Sequence, residues 1–167
     1  MHKTVKLFPN VYLGENILIA KGCEIRPGAF LRENVYAGEG SVLGNSCEFK
    51  NVVLFPHVQT PHYNYVGDSI LGAYSHLGAA ALTSNVKSDK TLVKLHFEDG
   101  DAETGLKKFG AILSDHVEVG CQSVLNPGTI IFSNTNVYPL SSVRGIIPGG
   151  MIYKGQNRLV KKRGESE

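Results

Sequence analysis

The run Pro61-His62-Tyr63-Asn64-Tyr65-Val66-Gly67-Asp68 sets a histidine, two tyrosines and an aspartate into a chain that is otherwise repetitive. An imidazole accepts a proton near neutral pH, so His62 is a candidate general base. Arg32 and Lys50 stand eighteen residues apart. If the chain coils with that period, the two cations lie one strand spacing apart, ~4.8 Å. Without a carboxylate at an equivalent position they would repel unless an anion such as a phosphate lay between them. The alternative, that both point into solvent, fits these residues equally well. Tyr65 and Asn85 fall near the same corner, where a hydroxyl and an amide can hold polar groups of a ligand. Such a set can position an amine or hydroxyl for attack on a bound thioester, without a metal or a covalent intermediate.

The elements that would position these residues are hexads. A large apolar residue returns every sixth place at Leu13, Ile19, Ile25, Leu31, Ala37, Leu43, Phe49 and Phe55. It returns again at Val66, Leu71, Leu77 and Thr83, and from Leu113 to Val143. The fifth place is small or compact, as at Cys23, Ala29, Val35, Ser41, Cys47 and Val53. This period predicts an all-β fold, a single-stranded parallel β-helix in which each hexad is one short strand and a turn. Residues 1–12 are expected to cap the first coil, 13–148 to form the β-helix, and 149–167 to be a polar basic tail ending near Lys161-Lys162-Arg163. Residues 86–112 leave the period and predict an inserted arm. It contains an alternating strand, Thr91 to Phe97, and an acidic turn, Glu98-Asp99-Gly100-Asp101, that lacks EF-hand ligand spacing.

A net charge of +2 gives no basis for nucleic-acid binding, and no apolar run has the length of a membrane span. The start, Met1-His2-Lys3-Thr4, does not open a signal peptide, so a cytoplasmic location is expected. Three cysteines without CxxC spacing predict neither a disulfide framework nor a zinc ribbon. Cys23 and Cys47 read as packing residues, with Cys121 at a turn.

The runs Leu31-Arg32, Gly44 to Lys50, His62 to Asp68, Leu77-Gly78-Ala79, Asn85 and Val119 to Gln122 together resemble a known group. They are similar to the left-handed β-helix acyltransferases of the hexapeptide-repeat superfamily. In particular they resemble the acetyltransferase domain of the bifunctional N-acetylglucosamine-1-phosphate uridyltransferase/glucosamine-1-phosphate acetyltransferase. The resemblance implies a left-handed homotrimer with sites between subunits, acetyl-CoA as donor and an amino sugar 1-phosphate as acceptor, with no metal. It assigns His62 as base and Glu48 to orient it. Arg32, Lys50 and Tyr65 would hold the sugar phosphate, and Asn85 and His76 would stand at the acceptor. An arm lysine, Lys87 or Lys90, would assist, while Ala79, Cys121 and Pro139 would line the CoA channel. His76 replaces the family's usual asparagine and Cys121 its usual serine. No Gly-rich nucleotide-binding segment precedes the repeats, so uridylyl transfer would fall to a separate nucleotidyltransferase. Two other functions compete: a catalytically silent sugar-phosphate binder or scaffold, and a γ-class carbonic anhydrase-like zinc protein using His57 and His62. The latter lacks an upstream histidine partner other than His2.

Overall fold

In a computed structural model, which describes residues 1–97, 99–156 and 158–162, the chain winds as a left-handed parallel β-helix of about eight coils. No helix occurs among the described residues, and none is long and apolar enough to cross a membrane. Glu98 of the acidic turn and Arg163 of the tail lie outside the described residues.

Three faces follow from the register. The first carries Lys6, Glu24, Val42, Gln59, His76, Glu118, Asn136 and Ile152 in line. The second carries Tyr12, Phe30, Glu48, Tyr65, Leu82, Val124 and Ser142. The third carries Leu18, Tyr36, Val53, Ile70, Ile112, Ile130 and Ile146. These residues point outward, and their C-terminal neighbours fill the axis: Leu31, Phe49, Val66, Leu71, Leu77 and Leu125 are buried. Stacking thus converts the hexad rhythm into one continuous core. The small fifth-place residues are buried beside them, and their hydroxyls are satisfied locally, as Ser75 Oγ donates to the Gly72 carbonyl at 2.7 Å.

Two expectations are corrected. The phase does not hold through Phe55: Leu54 is fully buried, Phe55 is 46% exposed, and Val52 rather than Val53 takes the small inward place. The slip lies at the corner between the second and third faces. There Leu31 pairs with Phe49 but Glu33 pairs with Lys50, leaving Arg32 as the extra residue of a bulge. The next coil keeps the shorter turn, with Phe49 to Leu54 matched by Val66 to Leu71. The ladder also runs past both expected ends. Lys6–Leu7 already pairs with Glu24–Ile25, and Met151–Tyr153 extends the first face. Leu159–Lys161 folds back antiparallel on it, burying Tyr153.

The arm leaves after Asn85 and returns at Ala111–Leu113. Its hairpin pairs Lys94–Phe97 with Gly100–Glu103. Val86 bridges Lys108 at the base.

Candidate active site

The slipped corner holds a ladder of side chains. Asn16, Asn34, Asn51 and Asp68 share a left-handed backbone with φ of 56, 53, 51 and 48°, a conformation that Asn and Asp tolerate better than most residues. Their side chains therefore stack in register. Asn16 Nδ2 donates to Asn34 Oδ1 at 2.9 Å, Asn34 Nδ2 to Asn51 Oδ1 at 2.8 Å, and Asn51 Nδ2 to Asp68 Oδ1 at 2.8 Å. Asn85 Nδ2 donates to Asp68 Oδ2 from the other side and to Tyr65 Oη at 3.1 Å. An ionised carboxylate only accepts, so Asp68 fixes which way each amide faces. The amide nitrogen of Asn85 is thereby engaged, and its Oδ1 has no hydrogen-bond partner among the described residues. Burial pushes the Tyr65 phenol up, while the bond from Asn85 acts the other way, and the hydroxyl stays protonated and able to donate.

Arg32 and Lys50 do meet at this corner, but not as unpaired cations. Arg32 Nη1 lies 2.9 Å from Glu48 Oε1 and its Nε lies 3.6 Å from Glu33 Oε2. Lys50 Nζ sits 3.8 Å from both Glu33 Oε1 and Asp68 Oδ1, and its side chain is only 13% exposed. The expectation that no carboxylate stands nearby fails because the bulge at Arg32 rotates Glu33 into line with Lys50. Glu48 bonds to Arg32, and no hydrogen bond or ion pair joins it to His62 among the described residues.

His62 sits at the opposite edge of the second face, at the turn from the first. Its ring is exposed and makes no hydrogen bond or ion pair among the described residues. The turn itself is held from below by Asn64, a buried residue that sequence reasoning passed over. Asn64 Oδ1 accepts the His62 backbone N–H at 3.1 Å, and Nδ2 donates to the carbonyls of Gly78 and Ala81 at 2.9 and 2.8 Å. The same corner then runs through Ala79, Cys121 and Pro139. Backbone bonds link the successive turns: Ala80 N–H to His62 O at 3.0 Å, Gln122 N–H to Ala79 O at 2.8 Å and Leu140 N–H to Cys121 O at 2.9 Å. Gly120 is needed for this stacking, since a Cβ there would lie 2.4 Å from the Pro139 nitrogen. His62, Ala79, Cys121 and Pro139 thus form one column.

The remaining candidates lie elsewhere. His76 is on the first face, with Nδ1 2.8 Å from Glu118 Oε2. Lys87 Nζ donates to Thr91 Oγ1 at 2.6 Å and pairs with Asp89 at 3.3 Å, lining a separate pocket with Asn126 and Arg144. Lys90 is exposed in the same turn. His57 stacks on Tyr74 at 4.7 Å, at the corner before the strand Gln59–His62 whose far end carries His62. The two histidines weighed as zinc ligands thus occupy different corners of one chain.

Residues 13–147 match the model of the GMPPB C-terminal domain. The chain belongs to that family. Among curated relatives it is similar to the bifunctional protein GlmU of Methanococcus vannielii, 33% identical over 83% of this chain and 34% of that protein. It is also similar to the uncharacterized acetyltransferase YaiX of Escherichia coli O6:K15:H31, 30% identical over 71% of this chain and 51% of that one. The chain spans well under half the length of the first curated relatives it matches. In fold, the GMPPB C-terminal-type β-helix here is like a hexapeptide transferase family protein from Anaplasma phagocytophilum, with a TM-score of 0.59 at 14% identity over 98% of this chain and 78% of that one. The matched family and the GlmU relatives bear out the resemblance read from the motifs.

Proposed function

We propose that this chain is an acetyl-CoA-dependent N-acetyltransferase, acting on the amine of an amino sugar 1-phosphate of the glucosamine or galactosamine type. The observation that carries this reading is the column on one corner. The exposed imidazole of His62 stands in line with the stacked turns at Ala79, Cys121 and Pro139, a row of turn backbone along which an extended pantetheine would lie. His62 takes a proton from the acceptor amine as its nitrogen attacks the thioester carbonyl. Collapse of the tetrahedral adduct forms the amide, breaks the C–S bond and releases CoA as thiolate, which is then protonated. Tyr65 and Asn85 present one donor and one acceptor to the sugar.

His62 and the Lys50 corner lie at opposite edges of one face, so the reading includes a homotrimer in which a neighbouring subunit closes the space between them. Leu18 and Tyr36, exposed apolar residues at the N-terminal end of the third face, are in keeping with such packing. A cytoplasmic location completes the proposal. A second reading, a silent sugar-phosphate binder, is favoured by one observation: Glu48 is engaged by Arg32 and leaves His62 without an orienting carboxylate.

Thiol release from acetyl-CoA, measured against glucosamine 1-phosphate, galactosamine 1-phosphate, glucosamine and a nucleotide-linked amino sugar, separates the two. Turnover with the 1-phosphates alone is expected; silence across the panel from a folded protein favours the binder. The CoA column has its own test. Cys23 and Cys47 are buried, and burial pushes both thiols up, so alkylation of the native protein should stop at the exposed Cys121. Saturating CoA should slow that labelling about tenfold or more. A labelling rate indifferent to CoA would remove Cys121 from the channel.

A further inference from the structure

The cluster that is to receive a phosphate is short of positive charge. Arg32 and Lys50 face Glu33, Glu48 and Asp68, so the five groups together carry one negative charge in excess. An anion is not drawn to such a cluster unless further cations join it. The arm supplies them. Its returning leg and the third face enclose a groove of about 620 Å³ lined by Lys50 and Asp68 at the corner, by Ile70 and Ile112 on the face, and by Lys107 and Lys108 on the leg. The leg is pinned to this corner by backbone bonds, Phe109 N–H to Asn85 O at 2.9 Å and Gly110 N–H to Asp68 O at 2.8 Å. Lys107 and Lys108 have no carboxylate partner among the described residues, in contrast to Lys87 and Lys94 of the same arm. They turn the excess at the corner from one negative to one positive charge.

We propose that Lys107 and Lys108, and not Lys87 or Lys90, are the arm's phosphate-binding residues, and that this groove receives a phosphate monoester. The phosphate lies among Lys50, Lys107 and Lys108, and the carbon skeleton of the ester lies against Ile70, Ile112 and Phe109. The volume and the mainly apolar lining suit a small organic ligand held by a few polar groups. This rests on the sugar-phosphate reading of the acceptor and assigns its anion site to the arm.

The test is titration calorimetry with glucosamine 1-phosphate and, separately, inorganic phosphate. It compares the unmodified protein with a Lys107→Ala/Lys108→Ala variant and a Lys87→Ala/Lys90→Ala variant. All four lysines are exposed or partly so, and their loss leaves the core intact. The first variant should bind both ligands about tenfold or more weakly, and the second should bind within twofold of the unmodified protein. Equal binding by the first variant, equal loss in the second, or no phosphate binding by the unmodified protein overturns the assignment. So does a first variant whose oligomeric state changes while its binding does not, which makes the groove a contact between copies. Binding that depends on Lys107 and Lys108 in a protein with no acetyl transfer keeps this site and removes the transferase reading. Turnover indifferent to both lysines does the reverse.

Discussion

Acetyl transfer by a His62→Ala variant is expected to fall by roughly 10²- to 10⁴-fold, the usual contribution of a positioned general base. The loss should appear in kcat, with the folded assembly unchanged. Both halves of that expectation come from the geometry. The imidazole is exposed and bonded to nothing among the described residues, so removing it opens no cavity and strands no partner. The structural duties at this position belong to the backbone: the N–H given to Asn64 and the carbonyl that accepts from Ala80 are kept by alanine. The left-handed residue of the turn is Tyr63, so the substitution adds no strain. Steady-state thiol release paired with size-exclusion elution checks the two together. Turnover within threefold of the unmodified protein would remove His62 as base and turn attention to the carboxylates across the face. Loss of activity together with a changed elution volume would show that the ring supports the assembly instead.

The fold was legible because its cause is a period. Axial positions are not interchangeable with polar outward ones when three short strands must close on a common axis, and from Ile25 to Phe49 and from Leu113 to Val143 that constraint stands in the sequence without interruption. Where it slipped, the error has a physical source. Phe55 falls on the sixth place by count, but an aromatic residue is not bound to be buried, and Leu54 one place earlier fills the axis instead. That single residue governed the reading of the site as well. A ladder spaced Asn16, Asn34, Asn51, Asp68, Asn85 becomes visible once the coil shortens from eighteen to seventeen at Lys50. With a uniform eighteen, Lys50 stacks on Arg32 and its carboxylates drop out of view. The turns that carry His62, Ala79, Cys121 and Pro139 all stack on the first-to-second corner, which keeps its hexad spacing. Lys107 and Lys108 were beyond reach: how an aperiodic arm folds back is decided by its contacts at Asn85 and Asp68, and no pattern within residues 86–112 encodes them.

Asn64 is expected to be among the most costly surface-distant polar residues to replace. Its side chain is 2% exposed and serves one N–H of the His62 turn and two carbonyls of the turn from Gly78 to Ala81. Asn64→Leu keeps the branching and heavy-atom count but strands all three groups in a site closed to water. At about 1–3 kcal/mol for each buried polar group left unpaired, the loss is about 3 kcal/mol or more, a large part of the stability of a domain of this size. Asn64→Asp separates lost bonding from lost shape. A carboxylate there still accepts from the His62 N–H but faces the Gly78 and Ala81 carbonyls, so the folded state favours its protonated form and holds its pKa above the unfolded value. The folded state then binds more protons than the unfolded one, and the stability of this variant should rise as pH falls through that raised pKa. Denaturant unfolding of both variants between pH 4 and 8, titrated at about one-unit steps, measures this. A leucine variant within about 1 kcal/mol of the unmodified protein would mean that water or a small shift satisfies the three groups. The turn that aims His62 would then be held by its backbone alone, and Asn64 would have no part in placing the base.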